Sequence, residues 1–288
     1  MTAVARSRSE LGTALAALRG GDRTLALVPT MGALHEGHRA LLQRARQVAD
    51  TVVASIFVNP LQFAPAEDLS RYPRPVEADL AVCAEEDVDL VWMPSVEEMY
   101  GSGPVVTVDP GPIGELLEGA YRPGHFRGVL TVVAKLFAQV RPDVAVFGAK
   151  DAQQLLLVRR MVVDLDLGVR IEAVETVREP DGLARSSRNA YLSPAERVAA
   201  VALSRALGAG AGAARDGAGP EDVRAAALGV LDNAPGVVLD YLALVDADSL
   251  AEAAAGAHGD HLLLVAARVG PARLIDNRAV RLGGGGAR

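Results

Sequence analysis

Cysteine is almost absent: Cys83 is the only one in 288 residues, so no internal disulfide can form and no thiol cluster exists for zinc. Such thiol usage predicts a reducing cytoplasm. No stretch approaches the roughly 20 consecutive apolar residues of a membrane span. The first ten residues mix arginines with serines around no apolar centre, so neither a secretory signal nor an anchor is expected there. Excess positive charge is also lacking. The formal net charge is −7, which argues against a general nucleic-acid binder, because phosphate binding needs a basic field. Any basic site must be local. What the chain does have is an apolar half and a charged 23%, the balance of a globular protein that buries a sizeable core. Single cores stop growing at roughly 250–300 residues, so one large domain or two unequal ones are expected. No internal repeat of solenoid length is present.

The pattern favours two domains. Residues 24–28 form a short apolar run ending at Pro29, and residues 51–58 a longer one rich in β-branched side chains, so both read as buried parallel strands. Residues 40–48 between them have helical spacing. Further buried strands are predicted at 90–93, 144–147 and 169–174, with helices at 129–140 and 152–165, and Cys83 lies in an acidic stretch that reads as helix. Strands alternating with helices of this length predict an α/β, Rossmann-like parallel sheet covered on both faces. After residue 176 the pattern changes. Two Ala-rich helical segments, 194–207 and 221–231, flank a flexible-looking Gly/Ala stretch. Strands follow at 237–245, 261–269 and 272–277, and residues 283–286 read as a frayed tail. The expected division is therefore 1–176 and 177–288, the second part a smaller α+β domain.

Chemistry gathers where strands end. The first buried strand runs into Pro29-Thr30-Met31-Gly32-Ala33-Leu34-His35-Glu36-Gly37-His38, with a helix starting close to Gly37. Ligands of open α/β sheets bind beyond the carboxyl ends of the strands. Gly32 and Gly37 would let backbone approach a phosphate, and a helix N-terminus offers free N–H groups. His35 and His38, three apart, can point to the same side and hold a triphosphate. An isolated pair of this kind equally suits helix capping, solvent exposure or a metal; its place after a buried strand favours phosphate. Asn59 and Gln62 follow the next strand end, where neutral amides can bond a hydroxy acid or cap a turn. Lys150 follows a strand and Gly148, a place for a point positive charge, with Asp151 beside it. Ser186, Ser187 and Arg188 combine two hydroxyls with a guanidinium fork, suited to phosphate oxygens or to a plain connecting loop.

Residues 29–38 resemble the signature of the pantothenate synthetase family, within the nucleotidyltransferases that share an H-x-G-H turn. Four further segments are similar in the same order: Ser55-Ile56-Phe57-Val58-Asn59-Pro60-Leu61-Gln62-Phe63, Asp68-Leu69-Ser70-Arg71-Tyr72-Pro73-Arg74, His125-Phe126-Arg127-Gly128-Val129, and Phe147-Gly148-Ala149-Lys150-Asp151-Ala152-Gln153-Gln154. A fifth, Ser186-Ser187-Arg188-Asn189, resembles the family's second phosphate loop. The resemblance implies an ATP-dependent ligase that adenylates pantoate and joins it to β-alanine, with Mg2+ accompanying ATP, a homodimeric assembly and a second domain acting as a lid. It implies His35, His38 and Lys150 as the catalytic groups. Met31, Gly148, Asp151 at the ribose, Val177 at adenine, and Ser186, Ser187 and Arg188 would join them in holding ATP. It implies Gln62, Gln154 and Asn59 for pantoate, Glu118 and His125 on the β-alanine side, and Asp79 as the metal-side carboxylate.

The departures are few. Ala149 and Ala152 stand where Glu and Tyr are expected, Arg185 where Met is expected, and Ala78 breaks an acidic pair in Glu77-Ala78-Asp79. The first two remove bulk rather than catalytic groups. An adenylyltransferase for a phosphorylated acceptor would want extra basic groups in place of Gln62 and Gln154. A non-catalytic binding protein would be expected to have lost one of His35, His38, Lys150 or Arg188, and all four are present.

Overall fold

The structure, a computed structural model, describes residues 2–63, 69–70 and 72–283. Asp68 and Arg71 of the second motif, and residues 284–286 of the expected tail, lie outside the described residues. The chain divides into two compact units, Met1–Ala149 with Gln153–Glu175, and Lys150–Ala152 with Thr176–Arg288.

Among the described residues the first unit runs β1 (Ala3–Ala5), α1 (Arg8–Leu18), β2 (Leu25–Thr30), α2 (Glu36–Val48), β3 (Thr51–Ile56), α3 (Val76–Glu85), β4 (Leu90–Trp92), α4 (Val96–Tyr100), α5 (Glu118–Tyr121), α6 (His125–Val140), β5 (Val144–Gly148), α7 (Ala152–Asp164) and β6 (Arg170–Val174). Its strands make a six-stranded sheet in the order β1-β4-β3-β2-β5-β6, every pair parallel. Successive strand side chains alternate between faces, and two cores result. Leu25, Leu27, Val53 and Trp92 pack with α1, α6 and α7, whereas Ala26, Val28, Val52 and Val91 pack with α2 and α3. Burial on both sides is why these strands read as continuous apolar runs. After β4 the chain crosses back to lay β5 beside β2. The carboxyl ends of β2 and β5 therefore flank the topological switch point where such sheets hold ligands.

Helices α1, α4 and α5 were not marked in the sequence, and two further first-unit features differ from expectation. The edge strand β1 was unmarked, because three residues carry no periodicity. Helix α6 starts one turn before residue 129, at His125, after the left-handed Gly124 (φ 81°). That extra turn lies against the 59–63 segment so closely that a Cβ on Gly128 would sit 2.3 Å from the Leu61 carbonyl oxygen.

The second unit contains α8 (Pro194–Arg215), α9 (Pro220–Leu231), β7 (Val237–Asp246), β8 (Gly259–Val269) and β9 (Ala272–Leu282), the strands forming an antiparallel sheet in that order. Helix α8 opens on a capping box, Ser193 Oγ accepting from Glu196 N and Glu196 Oε2 from Ser193 N, with Pro194 in the first turn. The Gly/Ala stretch expected to interrupt it is helical to Arg215. Packing offsets the poor intrinsic propensity of glycine there. A Cβ on Gly210 would lie 2.5 Å from Leu263 Cδ2 and 3.1 Å from the Val223 carbonyl oxygen, so α9 and β8 approach only because it is absent.

Neighbouring glycines of one helix should thus respond oppositely. Around Gly208 a Cβ would meet nothing within 4 Å, and Gly208→Ala should stabilise by about 0.5–1 kcal/mol through helix propensity. Gly210→Ala should be net destabilising, since overpacking costs about 1–3 kcal/mol. Denaturant unfolding of both variants checks this; equal gains would show that Gly210 is no packing contact.

Candidate active site

The turn after β2 is built from main-chain geometry. Gly32 (φ 79°) and Ala33 (φ 52°) are consecutive left-handed residues, a conformation that costs a non-glycine residue about 1–3 kcal/mol unless its surroundings hold it. They do. The Ala33 amide donates to Asp79 Oδ2 (2.9 Å) and the Leu34 amide to Asp79 Oδ1 (2.7 Å). The Gly32 amide donates to Thr30 Oγ1 (3.2 Å), whose hydroxyl donates to the Ser55 carbonyl (2.7 Å).

His35 and His38 then cap α2 reciprocally. His35 Nδ1 accepts from Gly37 N at 3.1 Å, and His38 Nδ1 accepts from His35 N at 3.2 Å. The two rings lie 4.2 Å apart between centroids. Capping and function are not alternatives here. A ring nitrogen that accepts an amide proton carries a lone pair, so each neutral ring bears its proton on Nε2. Two parallel caps thus fix two N–H donors at the start of a helix, where the dipole already favours an anion.

Asn59, Gln62 and His125 form one hydrogen-bonded cluster in the first unit. Asn59, 1% exposed, donates to Gln62 Oε1 and the Gly128 carbonyl (both 3.0 Å), and its Oδ1 accepts from Leu61 N (3.2 Å) and Tyr100 Oη (2.7 Å). These bonds use its whole capacity. Burial pushes the Tyr100 hydroxyl well above its ordinary pKa and keeps it a donor. Because Asn59 holds Gln62 Oε1, the Gln62 NH2 group is the end that reaches Met31, 3.2 Å from its Sδ. His125 Nδ1 lies 2.9 Å from the Gln62 carbonyl and its Nε2 3.0 Å from Arg122 Nη1. A guanidinium can only donate, so Nε2 accepts and Nδ1–H donates to Gln62, the tautomer opposite to that of His35 and His38.

The two glutamines at 153 and 154 separate cleanly. Gln153 is buried, donating to the Ile113 and Leu116 carbonyls (2.8 and 2.9 Å) and accepting from Glu118 N (3.1 Å); it shapes the loop that carries Glu118. Gln154 is half-buried on α7.

In the second unit the Asn277 side chain donates to the Lys150 carbonyl at 2.7 Å. Its neighbour Asp276 is buried and receives a forked pair of bonds from Arg178 (2.6 and 3.0 Å). Ser186 Oγ caps the short 3-10 helix Ser187–Tyr191 by accepting from Arg188 N (3.3 Å). The loop is pinned further by Arg185 N donating to the Val177 carbonyl (2.9 Å) and by Asn189 donating to Glu179 (3.2 Å). A hydrogen bond from Arg197 holds the Glu179 carboxyl below its ordinary range. Gly148 ends β5, and Asp151 is exposed beside Lys150.

Asp79, expected as the metal-side carboxylate, is 2% exposed, and each of its oxygens accepts one amide of the turn, so the side chain braces that turn. Burial, with the Asp79 charge adding, pushes the neighbouring Cys83 thiol up to about 11. Arg122, Tyr100, Gln153, Arg178, Asp276 and Asn277 were missed as site supports. Gln153 sat inside the 147–154 motif and Arg122 three residues before His125-Phe126-Arg127-Gly128; the other four carried no local signal.

The sequence and the fold both match known proteins. The sequence model of the "Pantoate-beta-alanine ligase" family matches residues 3–279. A pantothenate synthetase of Nocardioides sp. is 59% identical, over 97% of this chain and 86% of the relative. The pantothenate synthetase structure from Thermus thermophilus superposes with a TM-score of 0.91 at 48% identity, covering 96% of this chain and 98% of that one. The pantoate-beta-alanine ligase of Francisella tularensis, solved in complex with beta-gamma ATP and beta-alanine, gives 0.79 at 32% identity over 96% and 97% of the two chains. With the family model and relatives of this identity matching along nearly the whole length, the chain belongs to the pantoate–β-alanine ligase family, the pantothenate synthetases.

Proposed function

We propose that this ligase condenses pantoate with β-alanine through a pantoyl-adenylate, and that the paired histidine caps carry the reading: they fix two N–H donors at a helix start after β2. In the first step a pantoate carboxylate oxygen attacks the α-phosphorus of ATP and pyrophosphate leaves. His35 and His38 donate to phosphate oxygens, and Lys150 and the Ser186-Ser187-Arg188 loop add charge and hydroxyls against the spreading negative charge. Met31, Gly148, Asp151 and Val177 complete the ATP contacts. In the second step the β-alanine amine attacks the acyl carbon, loses a proton and expels AMP.

Gln62 and Gln154 bond pantoate, while Asn59 serves by orienting Gln62, since its own capacity is used. Glu118 and His125 stand on the β-alanine side. Magnesium enters with the triphosphate, as it commonly does. Among the described residues no group of three His, Cys, Asp or Glu is arranged to hold an ion, so no step is assigned to one. No helix among the described residues is long and apolar enough to cross a membrane. A cytoplasmic location is supported by the lone buried thiol.

His35→Ala and Lys150→Ala should fold yet lose about 10²–10³ in adenylate formation, the usual cost of one preorganised donor. Gln154→Ala should keep ATP binding but lose about 1.5–3 kcal/mol of pantoate binding, the worth of a hydrogen bond to a charged group. AMP formation and calorimetric titration of both ligands check these; near-normal turnover, or equal loss for both ligands, would contradict the assignments.

A homodimer through the first unit is also proposed, supported by the family and by the nearly fully exposed Val105 and Val106 on that unit. Sedimentation at micromolar concentration should give a dimer, and monomer alone would contradict it.

A further inference from the structure

Nothing in the reaction as derived uses Asp79, yet it is the acidic side chain most completely committed to the catalytic turn. It projects from the first turn of α3, is 2% exposed, and forks onto two consecutive amides, Ala33 (2.9 Å) and Leu34 (2.7 Å). Those amides converge on one anion only because Gly32 and Ala33 are both left-handed (φ 79° and 52°). The carboxylate reaches them only because residue 32 has no side chain: a Cβ there would lie 2.8 Å from Asp79 Oδ2 and 3.1 Å from Ile56 Cγ2. The Leu34 peptide leads directly into His35, whose amide His38 caps and whose ring caps Gly37. One carboxylate thus fixes the entry angle of the chain into the histidine pair.

We propose that Asp79 is a positioning residue for the adenylation step, acting through the Ala33 and Leu34 amides on His35 and His38. The inference rests on the functional reading above. Asparagine at 79 keeps the volume but turns an NH2 toward an amide N–H, so one of the two bonds becomes a donor–donor clash. The histidine donors then drift, and misplacement of about 1 Å at a reacting centre costs about 100-fold in rate. The brace touches no substrate, so the loss belongs in kcat, with KM for pantoate unchanged.

Pantoate-dependent exchange of pyrophosphate into ATP, measured across free Mg2+ concentrations, tests this with wild type, Asp79→Asn, Gly32→Ala, His35→Ala and the Asp79→Asn/His35→Ala double variant. Asp79→Asn should lower kcat about 100-fold with an unchanged Mg2+ midpoint. The double variant should be no slower than His35→Ala alone, because groups acting as a unit are not additive. Should Asp79→Asn fail to fold, Gly32→Ala decides, since it keeps the charge and disturbs the same contact; it should show the same kcat loss and the same midpoint. Activity restored by high Mg2+, losses that multiply in the double variant, or wild-type exchange in both Asp79→Asn and Gly32→Ala would overturn the inference. Absence of pantoate-dependent exchange in wild type would instead overturn the functional reading beneath it.

Discussion

The fork of Asp79 onto the amides of Ala33 and Leu34 is the contact on which the candidate site depends. A chain leaving a buried parallel strand must turn sharply to start a helix on the sheet surface, and the turn leaves main-chain donors pointing inward. Buried donors without partners are costly, and a buried charge without partners more so. Here each need answers the other. The result is a turn of two left-handed residues that delivers His35 to the N-cap of α2 and lets His38 close the capping box.

The same economy recurs in the cluster around Asn59, Gln62 and His125. Asn59 has no bonding capacity left for a substrate, and its contribution is to decide which end of the Gln62 amide reaches Met31. Arg122 likewise sets the tautomer of His125. Sites of this kind work by preorganisation: donors aimed in advance need little rearrangement when charge moves. The second unit follows suit, with Asn277 holding the Lys150 main chain beside the ion pair of Arg178 with the buried Asp276.

Much of this was legible in the sequence where signals were local. Apolar runs marked β2, β3, β4 and β5, and the strand–turn–helix context singled out His35 and His38. Supporting contacts were not legible, because they join positions far apart in the chain: Asp79 lies 46 residues from Ala33, and Asn277 lies 127 from Lys150. Nothing about a single Asp in an acidic helix distinguishes a brace from a metal ligand. The Gly/Ala stretch of α8 misled for a related reason. Glycine reads as a helix breaker when only propensity is counted, whereas Gly210 is where α9 and β8 need room.

Protonation of the two turn histidines tests the central claim most directly. If the capping box holds, long-range 1H–15N correlation spectra of the unliganded protein at neutral pH should show His35 and His38 as Nε2–H tautomers with Nδ1 unprotonated, and His125 as the Nδ1–H tautomer. Nδ1–H signals from His35 or His38, or averaging between tautomers in both rings, would contradict it.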